Sequence, residues 1–155
     1  MRQERYTDYP RAILWLVRGG EGTIGGDVVS VEPFYLSKRP ITNLQFEAFE
    51  PAFERCVHSP EDDDIAVGID FERARGYCDW YARVSRKPMR LPTEIEWEYA
   101  CRGPKAFGLL GMLGGVWEWT AEGVLRGGND CAVRRVADPT LRAEDVGFRV
   151  ARSLR

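Results

Sequence analysis

The residues most able to do chemistry are four cysteines and one histidine. Cys56, Cys78, Cys101 and Cys131 are far apart and form no CxxC pair. Zinc sites and disulfide scaffolds use recurrent, closely spaced cysteines, so this spacing predicts neither, and we expect four thiols. His58 is the only histidine, which argues against iron or zinc chemistry that needs several imidazole ligands and leaves few conventional general bases.

Two further stretches are weaker candidates for ligand binding. The acidic run from Glu61 to Asp64 could bind a hard cation if the chain folded around it, but it lacks Asp-x-Asp-x-Asp-Gly spacing, and we expect solvated side chains. The glycine-rich stretch at residues 19–22 lacks the Gly-Lys-Ser/Thr ending of a phosphate-binding loop. It is interpreted as a turn.

Length and charge exclude several classes of protein. At 155 residues and 44% apolar content the chain is predicted to form a single domain, residues 1–155. Its 22 basic and 24 acidic residues are interleaved, without the basic stripe of a nucleic-acid-binding surface. The apolar run at residues 12–17 is too short for a membrane span, and the first ten residues are polar. We expect a cytoplasmic protein without a membrane span.

The stretch RLPTEIEWEYACRG, residues 90–103, predicts the helix around which the rest is organised. Thr93 and Glu96 have the spacing of a capping box, in which each side chain satisfies a free backbone N–H at the helix start. Trp97 supplies surface for packing. Because so short a helix is marginal alone, it must be held by tertiary contacts, for which the nearby segment GGVWEWT, with Trp117 and Trp119, is the obvious partner.

The remaining patterns predict an α+β domain. Helices are expected after Thr42 and Asp70, and the second carries Cys78 on its apolar stripe as a buried thiol. The segment AILWLV, residues 12–17, is interpreted as a buried strand, and residues 28–36 as an edge strand interrupted at Pro33. Short strands dominate the C-terminal part, ending with alternating apolar residues in VGFRVAR.

The order of six motifs is specific. They are YLSKRPITNLQFEAF (35–49), GIDFERARGYCDWYA (68–82), RLPTEIEWEYACRG (90–103), AFGLLGMLGGVWEWT (106–120), VLRGG (124–128) and DVGFRVAR (145–152). In this order they closely resemble the formylglycine-generating enzyme, or sulfatase-modifying factor, family. The resemblance implies an elaborated C-type-lectin-like fold with two or three helices on a small, irregular, mostly antiparallel sheet. It also implies structural roles for Arg126, Phe148 and Arg149.

Active members of that family oxidise a sulfatase cysteine to formylglycine, using oxygen and a copper ion held by two cysteines near the C-terminus. Between Gly128 and Gly147 this chain has only Cys131. Two thiolates suit a soft Cu(I) ion, whereas one leaves the ion underligated and removes the second thiol that exchange chemistry needs.

A second departure concerns the calcium site that the resemblance implies. The family motif GNVWEWT is written GGVWEWT here, so Gly115 replaces an asparagine ligand while Glu118 remains. Calcium prefers six or more oxygen ligands, so a bound ion near Glu118 is an alternative that we do not expect. Trp117 and Trp119 are interpreted as core residues rather than as a binding platform.

A third departure is length. The family carries long irregular segments after its ACRG and VWEWT motifs, but here Arg102 nearly joins Ala106 and Thr120 nearly joins Val124. Those segments normally cover core, so their absence should expose apolar surface.

These departures favour a noncatalytic, protein-binding or assembly subunit, a pseudoenzyme whose uncovered face docks on a partner or on a copy of itself, with no cofactor. The alternative is a copper-dependent oxidoreductase with Cys131 as the reactive thiol. Arg134 and Arg135 could favour its thiolate, or could simply be solvated or pair with Asp138. A lectin-like ligand-binding module is a third reading, although no Glu-Pro-Asn sugar motif occurs.

Overall fold

The computed structural model describes residues 9–103 and 109–154. The first eight residues and the AFG start of the fourth motif, 106–108, therefore lie outside the described part. The helices found there are α1 (Asn43–Phe49), α2 (Phe71–Ser85) and α3 (Glu94–Arg102). They begin at the predicted caps, Thr42, Asp70 and Thr93, whose side chains accept a hydrogen bond from a backbone N–H in the first turn. Complete capping boxes start α1 and α3.

Ten short strands accompany these helices in the described part of the chain. They are β1 (Leu14–Val17), β2 (Gly20–Ile24), β3 (Asp27–Val31), β4 (Phe34–Ser37), β5 (Met89–Arg90), β6 (Trp117–Trp119), β7 (Val124–Arg126), β8 (Arg134–Val136), β9 (Val146–Gly147) and β10 (Ala151–Ser153). They form one sheet in the order β1-β4-β10-β5, another in the order β8-β7-β6-β9, and the hairpin β2-β3. Pairing is antiparallel except between β6 and β9. The predicted α+β class with small, mostly antiparallel sheets is confirmed.

Three strand predictions were wrong in detail. β1 is not buried but lies at a sheet edge, with Trp15 and Leu16 exposed. Residues 28–36 are not one edge strand: β3 belongs to the hairpin, while β4 lies between β1 and β10. The C-terminal alternation is not one strand either. β9 and β10 belong to different sheets, and Arg149 between them is buried rather than exposed.

The core consists of two apolar clusters. The larger one joins α1 and α2 to the C-terminal segment through aromatic contacts, with Phe46, Tyr77 and Phe148 all fully buried. The smaller one packs Trp97 of α3 against Phe34 and other buried residues of β1, β3 and β4. Through Trp97, α3 thus packs on the first sheet and the hairpin. Its contact with β6 is a hydrogen bond from Trp97 to Glu118, whereas Trp119 belongs to the larger cluster. None of the described helices has the length and apolar character needed to span a bilayer.

The capping box of α3 gives a stability prediction. Thr93→Ala should lower the free energy of unfolding by about 1 kcal/mol, because the backbone N–H of Glu96 loses its acceptor. Thr93→Ser keeps the hydroxyl and should retain most of the stability. Urea titration followed by tryptophan fluorescence measures both. Equal losses in the two variants would contradict the capping role.

Candidate functional site

Glu118 lies at the centre of a buried polar cluster between α3 and the C-terminal segment. Its Oε1 accepts hydrogen bonds from Trp97 Nε1 at 2.9 Å and from Arg149 Nε at 2.7 Å. Its Oε2 accepts from Arg149 Nη2 at 3.2 Å. All three side chains are fully buried. The carboxylate is thus bonded through both oxygens to side chains of two separate segments.

Arg149 uses its remaining donors on backbone carbonyls. Nη1 donates to Ser37 O at 3.0 Å and Nη2 to Leu110 O at 2.6 Å. These bonds connect β4 and the loop before β6 to the Glu118 carboxylate. A buried guanidinium is costly unless its charge and its donors are satisfied, and here they are. This explains why residue 149 points inward and interrupts the strand pattern.

This arrangement does not fit a calcium ion at Glu118. Burial raises the pKa of the Glu118 carboxyl, while the Arg149 charge and the hydrogen bonds from Arg149 and Trp97 act in the opposite direction. An arginine thus occupies the position beside the carboxylate that a cation would take, and Gly115 offers no side-chain oxygen. Across residues 9–103 and 109–154, no three Asp, Glu, His or Cys side chains are grouped as a metal site.

A second buried cluster surrounds Arg126 of β7. Its Nη2 donates to Glu98 of α3 and to the Cys131 carbonyl, the latter at 2.6 Å. Its Nε donates to the Val133 carbonyl at 3.0 Å, and its guanidinium lies 5.5 Å from the Trp97 ring centroid. Arg126 therefore fastens the loop before β8 to α3 and shares Trp97 with the Glu118 cluster.

Cys131 is joined to Cys101 in a disulfide, with 5.7 Å between the Cα atoms. The prediction of four thiols was wrong: in the part of the chain that the structure describes, only Cys56 and Cys78 are free. The second cysteine beside Cys131 comes from the last turn of α3 rather than from the C-terminal segment. Thirty positions separate the pair, so nothing in their local spacing indicated the bond.

Cys78, the acidic run and His58 do not come together as a reactive centre. Cys78 is buried in the stripe of α2, as predicted, and burial raises its pKa far above the usual range, which makes it a poor nucleophile. The acidic run is solvated, as predicted, because Glu61, Asp62 and Asp63 are exposed, while Asp62 also pairs with Arg55 and Asp64 accepts from the Glu61 N–H. His58 is exposed, and its Nε2 lies 3.6 Å from Glu144 Oε2.

Arg134 and Arg135 do not pair with Asp138. Arg134 Nε donates to Glu94 Oε1 at 2.7 Å, and this bond is the main cause of the lowered pKa of the Glu94 carboxyl. Arg135 lies 5.5 Å from the Trp117 ring centroid, while Asp138 accepts from Thr140. Both arginines therefore have structural partners, and no thiolate is present at Cys131 for them to stabilise.

The two tryptophans of the VWEWT motif differ in environment. Trp119 is fully buried and donates from Nε1 to the Ile69 carbonyl at 2.8 Å. Trp117 is half-buried and approaches Gly128, where an added Cβ would lie 3.0 Å from its ring. Trp119 thus joins β6 to the start of α2, while Trp117 packs on the glycine that opens the Cys131 loop.

The buried pair Glu118 and Arg149 predicts strong energetic coupling. Glu118→Gln should lower the free energy of unfolding by about 3–5 kcal/mol, because it leaves a buried guanidinium without its counter-charge. In Glu118→Gln/Arg149→Met the combined loss should be smaller than the sum of the two single losses by more than about 1 kcal/mol. Urea denaturation of all four proteins measures the cycle. Additive losses would contradict the coupling.

The disulfide predicts a redox-dependent stability. Cys101→Ser and Cys131→Ser should each lower the free energy of unfolding by about 3–4 kcal/mol, since a bond closing a loop of this length restricts the unfolded chain. The difference from the unmodified protein should disappear in dithiothreitol, and Cys56→Ser serves as the control. Labelling of four rather than two cysteines in the denatured, unreduced protein would show that the bond is absent.

That measurement also bears on the compartment. Persistent disulfides are typical of oxidising compartments and rare in the cytosol. The expected cytoplasmic location therefore stays a prediction, and the bond does not favour it. Thiol labelling of protein extracted under acid quenching reports the redox state of the pair in the cell.

Comparison with known proteins agrees with the fold and with the motifs. The family model described as a sulfatase-modifying factor enzyme 1-like domain matches residues 8–106. An uncharacterised Bacillus subtilis protein, YfmG, is 30% identical over 112 residues, covering 59% of this chain and 20% of that protein. The formylglycine-generating enzyme of Bos taurus is 22% identical over 142 residues, covering 61% of this chain and 35% of the enzyme. The chain thus spans about a fifth and a third of these relatives.

Solved structures match over nearly the whole chain. Treponema denticola variable protein 1 has a TM-score of 0.77 at 15% identity and covers 90% of this chain and 94% of its own. PvdO from Pseudomonas aeruginosa has a TM-score of 0.77 at 20% identity, and the match covers 91% of this chain and 94% of PvdO. CarF has a TM-score of 0.78 at 16% identity, and the match covers 94% of this chain and 99% of CarF. At these identities the structures establish the fold alone. The family model, which matches more than half of the chain, shows that the chain belongs to the formylglycine-generating enzyme, or sulfatase-modifying factor, family.

Proposed function

We propose that this chain is a noncatalytic member of its family and works as a protein-binding or assembly module. The observation that carries the proposal is the bonding of Cys131. Its sulfur is joined to Cys101, and its carbonyl holds the buried Arg126. Cys131, the candidate reactive thiol of the sequence, therefore joins a loop to α3.

Glu118, the other candidate, is used in the same way. Its two oxygens accept hydrogen bonds from Trp97 and Arg149. The Arg149 guanidinium also donates to the backbone carbonyls of Ser37 and Leu110. A catalytic carboxylate needs an oxygen that can reach a substrate or a proton. Here both oxygens are buried and bonded, which supports a structural role.

The proposed docking face lies beside the Cys131 loop and is called the loop surface. It consists of Leu110, Leu113 and Val133, which are 51%, 45% and 38% exposed. The Gly114 N–H donates to the Gly128 carbonyl, and Val133 packs against Gly128, so the two stretches adjoin. Neighbouring exposed apolar side chains are typical of a binding surface. In the sequence, Leu110 and Leu113 follow the first of the two connections that are short in this chain.

The test compares the protein with Leu110→Ser/Leu113→Ser. If the loop surface docks on a protein, sedimentation should reveal self-association, or the unmodified protein should bind an apolar-surface dye. Either signal should fall in the double variant and persist in Val28→Ser, a change at a residue of β3 that is 72% exposed. A strictly monomeric protein that binds no dye would contradict the proposal.

A second candidate is the copper-dependent formation of formylglycine, and the proximity of Cys101 and Cys131 favours it. When reduced, this pair would supply two thiolates, the ligand type that Cu(I) prefers. Bound copper would supply oxygen chemistry. The residues of this chain would hold the ion, with Arg126 fixing the Cys131 backbone. The second thiol would come from α3 instead of the C-terminal segment.

Aerobic incubation of the reduced protein with Cu(I) and a Cys-x-Pro-x-Arg peptide separates the two functions. Mass spectrometry should find no conversion of the peptide cysteine to formylglycine if the module is noncatalytic. Conversion that is abolished by both Cys101→Ser and Cys131→Ser, but not by Cys56→Ser, would overturn the proposal in favour of the enzyme.

A further inference from the structure

A groove of about 950 Å³ lies between the C-terminal end of α2 and the sheet β1-β4-β10-β5, and the described residues that line it include neither Cys101 nor Cys131. Among the residues that the structure describes, its lining includes five cationic side chains and no carboxylate. They are Arg11, Arg83, Arg86, Lys87 and Arg152. We call it the basic groove. So strong a positive concentration contrasts with the net charge of −2 of the whole chain.

The helix end explains only part of this charge. Cations at a helix C-terminus interact favourably with the helix dipole, which accounts for Arg83, Arg86 and Lys87. Arg11 precedes β1 and Arg152 lies on β10, so neither belongs to that helix. Within residues 9–103 and 109–154 none of the five forms an ion pair, whereas arginines elsewhere, such as Arg55 and Arg90, bind carboxylates. The groove therefore holds several cations with no counter-charge from the described chain.

Two of these arginines have unusual local structure. Arg86 has φ +57°, a left-handed conformation that glycine adopts more easily at the end of a helix. The chain nevertheless places a long cationic side chain there, at the groove. Arg152 packs 5.1 Å from the Tyr35 ring centroid, and its buried Nε has no hydrogen-bond partner among the described residues.

The floor of the groove narrows the class of ligand. Trp80 packs edge-on against Tyr9 with 5.6 Å between ring centroids, and Arg11 lies 5.3 Å over the Tyr9 ring. These rings already contact one another, so they do not form an open slot for stacking a nucleobase. Ala12, Leu14 and Val84 add apolar surface. The groove offers oxyanion contacts around an apolar floor.

From this arrangement we infer that the basic groove binds an acidic segment of a partner protein, with alternating carboxylate and apolar side chains. The inference rests on the proposed protein-binding function and names the partner's chemistry. Cations from three elements match carboxylates spaced along an extended peptide, and four of the five are arginines, which bind carboxylates bidentately. The groove is concave and bounded, unlike the broad basic stripe that a nucleic-acid duplex or a membrane surface requires.

The binding test uses fluorescence anisotropy of a labelled peptide of alternating glutamate and leucine. The same peptide with glutamine for glutamate is the ligand control. The variant Arg83→Gln/Arg86→Gly removes two groove cations, and glycine suits the backbone at position 86, so the fold is retained. Arg18→Gln removes an exposed arginine outside the groove. The circular dichroism melting curve checks each protein.

Glutamate-dependent binding should weaken at least about tenfold in the double variant, weaken with added salt and remain unchanged in Arg18→Gln. Equal losses in Arg18→Gln would show unspecific attraction and overturn the inference. Two competitors, inorganic polyphosphate and phosphatidylserine vesicles, are tested on the same proteins. Tighter groove-dependent binding of either would also overturn it, because the groove would then be a site for that ligand.

The outcomes separate this inference from the proposed function. If the glutamate peptide does not bind while association through Leu110 and Leu113 persists, the inference fails and the protein-binding module stands. If the peptide binds as expected while the loop surface proves inert, the groove stands and the docking face fails.

Discussion

The structure depends most on one buried ion pair, between Glu118 and Arg149. A carboxylate and a guanidinium are expensive to remove from water, so each is tolerated only because the other neutralises it and further hydrogen bonds satisfy its remaining atoms. Trp97 brings in α3, and the carbonyls of Ser37 and Leu110 bring in β4 and the loop before β6. Elements of both main sheets and α3 are thereby fixed around one charge pair.

A second buried ion pair connects α3 to another part of the chain, beginning at Glu98, the residue after Trp97. Arg126 pairs with Glu98 and donates to two carbonyls of the loop before β8, and the disulfide then fastens the same loop to Cys101. Because Trp97 contacts both Arg126 and Glu118, the two clusters share a side chain. Glu118, Arg126 and Cys131, whose side-chain types could take part in catalysis, instead make structural contacts between segments of the chain. This structural use supports the proposal of a binding module.

The two proposed binding surfaces lie in different parts of the molecule. The apolar loop surface lies beside the disulfide-bonded loop, whereas the basic groove lies at the far end of α2, lined by different elements. A module held rigid by buried ion pairs can present both surfaces without rearrangement, which lowers the entropic cost of binding.

The sequence by itself determined the family, the α+β class and the helix starts, because capping residues act on backbone groups within three positions of themselves. It also placed Cys78 and Trp119 in the core, since apolar spacing on a helix and the apolar character of a motif are local properties. Only the tertiary structure decided that β4 is central, that the C-terminal strand is split around Arg149, and that Cys131 meets Cys101. The reason is physical: burial of a charge, pairing of strands and bonding of distant sulfurs depend on which segments meet in space, and a linear spacing of 30 residues carries no record of that meeting.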